Sequence, residues 1–159
     1  MQQPKIVDLP PRKLMGMQEQ MSFSDDKTFM LWKQFRTTLR TTTPNNYTEF
    51  YSLQQYPKDF DFTPNTYFRK WAAVKVDDSI PVPLEIEIFP LKGGLYAIFI
   101  HKGPANTFFK TSNYIFAEWL PNSEYELDHR AHFEILTPDY KPNDPNAQEE
   151  VWIPIKIKK

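Results

Sequence analysis

The chain has 159 residues, enough for one domain with a genuine core, and its 40% hydrophobic and 25% charged residues are ordinary for a globular protein. A formal net charge of −1 excludes a dominant phosphate-binding surface, which leaves a basic imprint, and the absence of cysteine excludes disulfides and thiolate metal sites. No apolar run reaches the roughly 18 residues of a membrane span and no signal peptide opens at Met1, so a cytoplasmic protein without membrane contact is expected.

Aromatic residues make up 16% of the chain, and there are 15 Pro against 4 Gly. Such a balance predicts short strands joined by rigid turns, and an aromatic supply large enough to line a cleft as well as a core. In chain order, 13–22 reads as a strand. Asp25 or Asp26 is placed to cap a helix running to about Arg40, with Thr28, Leu31, Trp32, Phe35 and Leu39 on one face. Residues 47–56 and 67–77 read as strands separated by turn chemistry at Pro57-Lys58-Asp59 and Thr63-Pro64-Asn65. A connecting strand is expected over 84–89 and a turn at Gly93-Gly94. A nearly continuous apolar strand, buried on both faces or central in its sheet, follows over 95–102. Asn106 or Thr107 caps a second helix carrying Phe108, Ser112, Ile115, Phe116 and Trp119 on one face, and Pro121-Asn122-Ser123 ends it. The last strands cover 131–137 and 148–158, with Pro142-Asn143-Asp144-Pro145-Asn146 between them.

These elements occur twice. Leu14-Met15-Gly16-Met17 matches Leu95-Tyr96-Ala97-Ile98. Leu31-Trp32 with Phe35 matches Ile115-Phe116 with Trp119. Phe50-Tyr51 matches Phe133-Glu134, and the segment around Trp71 matches that around Trp152. The nearly constant spacing predicts an internal repeat, approximately 5–78 and 84–159, inside one domain over 1–159. The expected fold class is α+β: two strand-helix-strand-strand modules related by a pseudo-twofold axis. Two main helices would lie on one face of an antiparallel sheet, with a ligand cleft where the halves meet.

Strand alternation puts Val151, Ile153, Ile155 and Ile157 on a core face, and Glu150, Trp152, Pro154, Lys156 and Lys158 on the other. Glu150 and Trp152 are thus surface neighbours, and Trp71 should share their outlook. By the repeat, Tyr51 takes in the first half the place of Glu134 in the second, so one side of the cleft carries a phenol and the other a carboxylate. A carboxylate beside aromatic rings suits a cationic, apolar ligand. A Glu within an apolar strand needs a partner or a cationic ligand to stay ionised, which singles out Glu134. His129 and His132 stand three apart at a strand entrance and face opposite sides, so no metal site is expected. Four glycines in all leave no phosphate-binding loop, no nucleophilic serine motif is present, and no cofactor is expected.

The segment 94–104 (GLYAIFIHKGP), the helix end Glu118-Trp119-Leu120-Pro121-Asn122-Ser123, Phe133-Glu134-Ile135 and Glu150-Val151-Trp152-Ile153-Pro154-Ile155 together resemble the GyrI-like small-molecule-binding domain, the effector-binding domain of AraC-type transcription regulators. The resemblance spans essentially the whole chain and is strongest from Leu91 onward. It implies a central cleft for amphipathic, often cationic, compounds, as in multidrug binding, with Glu134 as the binding carboxylate. The family's last strand often reads Glu, any residue, Tyr; here it is Glu150-Val151-Trp152, which keeps a ring face and exchanges a hydroxyl for an indole N–H. Regulators of this type carry a helix-turn-helix domain, for which the chain has no room, so a stand-alone member without direct nucleic-acid contact is expected.

The function expected first is ligand sensing or sequestration without turnover. A planar aromatic cation would stack on Trp152, Tyr96 or Trp119 and approach Glu134, with Glu150, Tyr51 and Trp71 completing the site. The alternatives are a hydrolase of cyclopropane-bearing toxins with Glu134 catalytic, and a module that binds a protein partner, as a gyrase inhibitor does.

Overall fold

The computed structural model describes residues 2–43 and 47–159; Met1, on which the expectation of no leader rests, lies outside them. Nine strands occur among the described residues: β1 (Lys5–Leu9), β2 (Arg12–Met21), β3 (Phe50–Gln55), β4 (Phe68–Lys75), β5 (Glu87–Leu91), β6 (Gly94–Lys102), β7 (Tyr125–Leu127), β8 (His132–Leu136) and β9 (Gln148–Ile157). They form one antiparallel sheet in the order β1-β6-β9-β8-β3-β4-β2-β5, with β7 on the far part of β9. The fold is the expected α+β arrangement. β1 and β7 went unread in the sequence because each, at five and three residues, is too short to show a clear alternation.

Helix α1 (Thr28–Thr42) forms because Leu31, Phe35 and Leu39 recur every fourth residue and present one apolar stripe, which is buried. The N-cap position is Lys27, whose side chain makes no capping bond, in place of the expected Asp25 or Asp26; Asp26, one residue earlier, accepts the Thr28 amide at 2.9 Å. Helix α2 (Phe108–Asn113) runs on through a π-helical stretch, Tyr114–Trp119, to a closing turn at Leu120–Asn122. Asn106 and Thr107 do not cap it. They lie in a 3₁₀ turn, and the Thr107 hydroxyl donates back to the Pro104 carbonyl at 2.8 Å, away from the helix amides.

Both helices cover the same face of the sheet. Under α1 lie Met15, Phe50, Ala72 and Val74; under α2 lie Ala97, Phe99, Val151, Ile153 and Ile155. Ile157 leaves this row and is 66% exposed, because β9 there pairs with three-residue β7 and no helix reaches it. The opposite face carries a third cluster of Leu14, Tyr51, Leu53, Trp71, Tyr96, Phe133 and Trp152.

The register locates the repeat. β1 pairs with β6 of the other half, and β5 pairs with β2, an exchange that ties the modules together. Leu9 corresponds to Leu91 and Leu14 to Tyr96, all in the cluster opposite the helices, which sets the correspondence at 82 residues (9 to 91, 14 to 96). The sequence match of Leu14 with Leu95 is one residue out. Phe50-Tyr51 likewise matches His132-Phe133, so Tyr51 does not take the place of Glu134. Its counterpart is Phe133, and that of Glu134 is Ser52. A one-residue slip moves a side chain to the other face of a strand. Trp71 corresponds to Glu150, since each pairs on matched strands with Leu53 or Ile135. Ala73 corresponds to Trp152, pairing with Tyr51 as Trp152 pairs with Phe133.

Candidate functional site

Directly paired residues share a face, so the register sorts the candidate side chains. One row across the sheet runs Ile98, Trp152, Phe133, Leu53, Trp71, Gln18. Its pseudo-symmetric mate runs Ile100, Glu150, Ile135, Tyr51, Ala73, Gly16. Both belong to the face without helices. Glu134 pairs with Val151 and with Ser52, which places it on the helix face. Glu134 is thus not brought together with Trp152, Glu150, Tyr96, Tyr51 or Trp71; the sheet lies between them.

On the face away from the helices the rings pack on one another. Phe133 and Trp152 stack at 5.1 Å, and Tyr96 meets both. Tyr51, Tyr96 and Phe133 are fully buried, and Trp71 and Trp152 nearly so. Their polar tips are all engaged. Trp152 Nε1 donates to Glu150 at 2.9 Å, Trp71 Nε1 to Gln55 at 2.8 Å, and Tyr96 to the Ala131 carbonyl at 2.7 Å. Tyr51 accepts from Arg12 at 2.7 Å. Burial pushes the Tyr96 phenol up to about 12. Trp119 belongs to neither group. It lies under α2 against Phe99 and Tyr125, with centroids 5.2 and 6.2 Å away.

The helix face is different at its centre. Between the apolar patches under α1 and α2, the two middle strands β3 and β8 contribute Ser52, Gln54, His132 and Glu134, a polar stripe along the pseudo-twofold axis. Gln54 Nε2 donates to Glu134 Oε1 at 3.2 Å. Burial pushes the Glu134 carboxyl up to about 7; the Lys70 ammonium draws it down, Glu149 raises it further, and the Gln54 hydrogen bond lowers it. Glu149, on the same face of β9, is itself raised by burial, while the Tyr140 hydroxyl that donates to it pulls the other way. Neither Glu134 nor Glu149 has a cation within ion-pair distance among the described residues. Burial pushes the His132 imidazole down to about 3, so it stays neutral.

Aromatic rings close this stripe at one end. Tyr56 stands edge-on to His132 at 4.9 Å and stacks on Phe60 at 4.7 Å, while Phe116 from the π-helical stretch lies flat on His132 at 6.2 Å. Phe62 joins the halves, reaching Tyr56 at 5.0 Å and Phe116 at 6.2 Å. Its φ is 58°, a left-handed backbone unusual for a bulky side chain, yet the ring is 45% exposed. A strained residue holding a half-exposed ring at the end of a polar stripe is a feature of ligand clamps.

Of the expected site residues, only Glu134 lies in this stripe. Ser52, Gln54, Tyr56, Phe62, Lys70, Tyr140 and Glu149 were not read from the sequence. A signal was available: Ser52 and Gln54 alternate with Tyr51 and Leu53, as His132 and Glu134 alternate with Phe133 and Ile135. Two neighbouring strands with a polar alternate set predict a polar stripe beneath a groove.

Comparison with known proteins agrees with this arrangement. A family model, the GyrI-like small molecule binding domain, matches residues 2–156. The transcriptional regulator BrlR of Pseudomonas aeruginosa is 28% identical over 155 residues, covering 95% of this chain and 54% of BrlR, so the chain spans about half the length of that relative. The C-terminal domain of EcmrR superposes with a TM-score of 0.74 at 13% identity, covering 98% of both chains. SAV2435 bound to tetraphenylphosphonium superposes at 0.68 and 14% identity, covering 98% of this chain and 94% of its own. A hydrolase encoded by lin2189 from Listeria innocua gives 0.62 at 9% identity, covering 97% and 92%. These likenesses establish the shared fold. Among the described residues no helix is long and apolar enough to cross a membrane.

Proposed function

The chain belongs to the GyrI-like small-molecule-binding domain family, and from that premise we propose that it takes up amphipathic organic cations in the groove between α1 and α2, with Glu134 as their counter-charge. The observation that carries this reading is a carboxylate on the pseudo-twofold axis, raised by burial and hydrogen-bonded by Gln54 but without an ion pair, in a stripe that a cluster of aromatic rings closes at one end. An incoming cation supplies the charge that the fold withholds. Tyr56, Phe62 and Phe116 offer ring faces, each cation–π contact contributing about 0.5–2 kcal/mol. The indole and phenol rings on the other face then serve as the packed floor beneath the site. That SAV2435 has been seen with a lipophilic cation, and that BrlR is a transcriptional regulator, support ligand sensing or sequestration of the effector-binding type.

Calorimetric titration with tetraphenylphosphonium and with neutral triphenylphosphine oxide tests the reading. Saturable binding of the cation alone, lost in Glu134→Gln, is expected. Equal weak binding of both compounds to both proteins would overturn it.

A second reading rests on a specific observation, the Glu134 carboxyl held near 7. That is the range in which a general base works best at neutral pH. Glu134 would then take a proton from water as its oxygen bonds to a cyclopropane carbon; the strained C–C bond breaks, its electron pair passes into the substrate's conjugated system, and the proton is returned there, in line with the hydrolase neighbour. Steady product formation, abolished in Glu134→Gln, distinguishes turnover from binding.

A further inference from the structure

A second groove, of about 530 Å³, lies at the outer side of α2, walled by Pro4 and Ile6 on one side and by Glu118, Trp119, Glu124 and Tyr125 on the other. It is separate from the stripe around Glu134, with which it shares no lining residue. Its volume is that of a small-molecule site.

The pseudo-twofold axis shows that the fold does not require this opening. The residue matched to Pro4 is Ile86, just ahead of β5. Ile86 is 5% exposed and packs among Leu31 and Phe35, filling the equivalent space beneath α1. Beside α2 the matched position is a proline, brought over from the first half by β1, and by the repeat Trp119 takes the place of Phe35. The space beside α2 is left open, and the Trp119 indole walls it.

The lining has one chemical character. Trp119 and Tyr125 lie nearly parallel, at 22° and 6.2 Å, and both line the groove. Glu118 and Glu124 flank it, and none of the ion pairs among the described residues takes up either. The Glu124 carboxylate is held by the Tyr125 hydroxyl, which that contact raises above its ordinary range. Lys158, whose amide bonds the Glu124 carbonyl, has its ammonium committed to the Pro121 and Ser123 carbonyls at 3.0 and 2.7 Å. Aromatic faces beside unpaired carboxylates select a flat organic cation and give a neutral ring nothing but contact area. We propose that this groove is a second binding site, for planar aromatic cations, independent of the groove at Glu134.

The test uses the full chain with its four tryptophans labelled as 5-fluorotryptophan, their ¹⁹F resonances assigned by single Trp→Phe variants, and titrated with N-methylquinolinium or neutral quinoline at pH 7.5. The Trp119 resonance is expected to move saturably with the cation. It should do so equally in Glu134→Gln, so that failure of the central site leaves this result intact. Binding should weaken about tenfold in the Glu118→Gln, Glu124→Gln double variant. Pro4→Ile, which imitates the filled half, should abolish it. A Trp119 resonance that stays still, that follows quinoline as closely as the cation, or that responds unchanged in the double variant overturns the proposal.

Discussion

Ser52 and Glu134 pair directly across β3 and β8, and they are also each other's counterparts in the repeat, so the pseudo-twofold axis passes between them. The residue that breaks the symmetry of the fold therefore stands on the symmetry axis. A small hydroxyl faces the carboxylate across the pair, where two large apolar residues would pack on one another. Neighbouring Gln54 reaches the carboxylate diagonally.

The raised carboxyl makes folding stability depend on pH. Glu134 keeps its proton in the fold up to about 7 but loses it near its ordinary 4.5 when unfolded. Its contribution is fully present below 4.5 and is lost as the pH rises to 7. Glu134→Gln, which cannot ionise, should match the wild type near pH 4 and exceed it above pH 8 by up to about 3 kcal/mol. Urea unfolding at the two pH values measures this; parallel pH curves for the two proteins would contradict the burial of this group.

A cation bound at Glu134 favours the ionised form. Affinity for tetraphenylphosphonium should rise with pH through about 7 and level off above it, with proton release below. Because Lys70 draws the carboxyl down, Lys70→Met should move that midpoint upward. Calorimetry in buffers of different ionisation enthalpy reads both effects, and a pH-independent affinity would remove Glu134 from the site.

Phe62 ties the two halves together over the groove through Phe116. Phe62→Ala should accelerate both association and dissociation of the cation, with dissociation gaining the more, so that affinity falls about three- to tenfold. Stopped-flow quenching measures the two rates. Unchanged rates would mean that ligands reach Glu134 by another path.

The face away from the helices predicts a contrast. Trp152→Phe removes the hydrogen bond to Glu150 and part of the indole's packed volume and should cost about 1–3 kcal/mol of stability. Trp152→Ala removes the ring stacked on Phe133 and should cost about 3–5 kcal/mol. Cation affinity of Trp152→Phe should stay within about twofold of wild type, the change expected without a lost ring contact. A larger loss in that well-folded variant would bring the ligand to this face instead.

His132 is held neutral by burial down to about 3, well below its ordinary 6.5. The stability it contributes is present above 6.5 and is lost as the pH falls toward 3. His132→Gln should therefore lose less stability on acidification than the wild type. Thermal melts between pH 7 and pH 4 compare the two slopes.

The sequence by itself determined the two helices, most of the strands and the repeat, and it singled out Glu134 as a carboxylate to test. Periodicity and turn chemistry are local, so the stripe Leu31, Phe35, Leu39 and the apolar run over 95–102 declare themselves without a partner. It did not determine the register between the halves. A match by residue type tolerates a slip of one, and in a strand that slip carries Tyr51 to the face opposite Glu134 and parts Glu134 from Trp152. Only the pairing of β3 with β8, β8 with β9 and β1 with β6 decided which side chains face the same space. Tertiary structure alone also showed that Ile86 fills under α1 what Pro4 leaves open beside α2, since an empty space is a property of everything around it and belongs to no single residue.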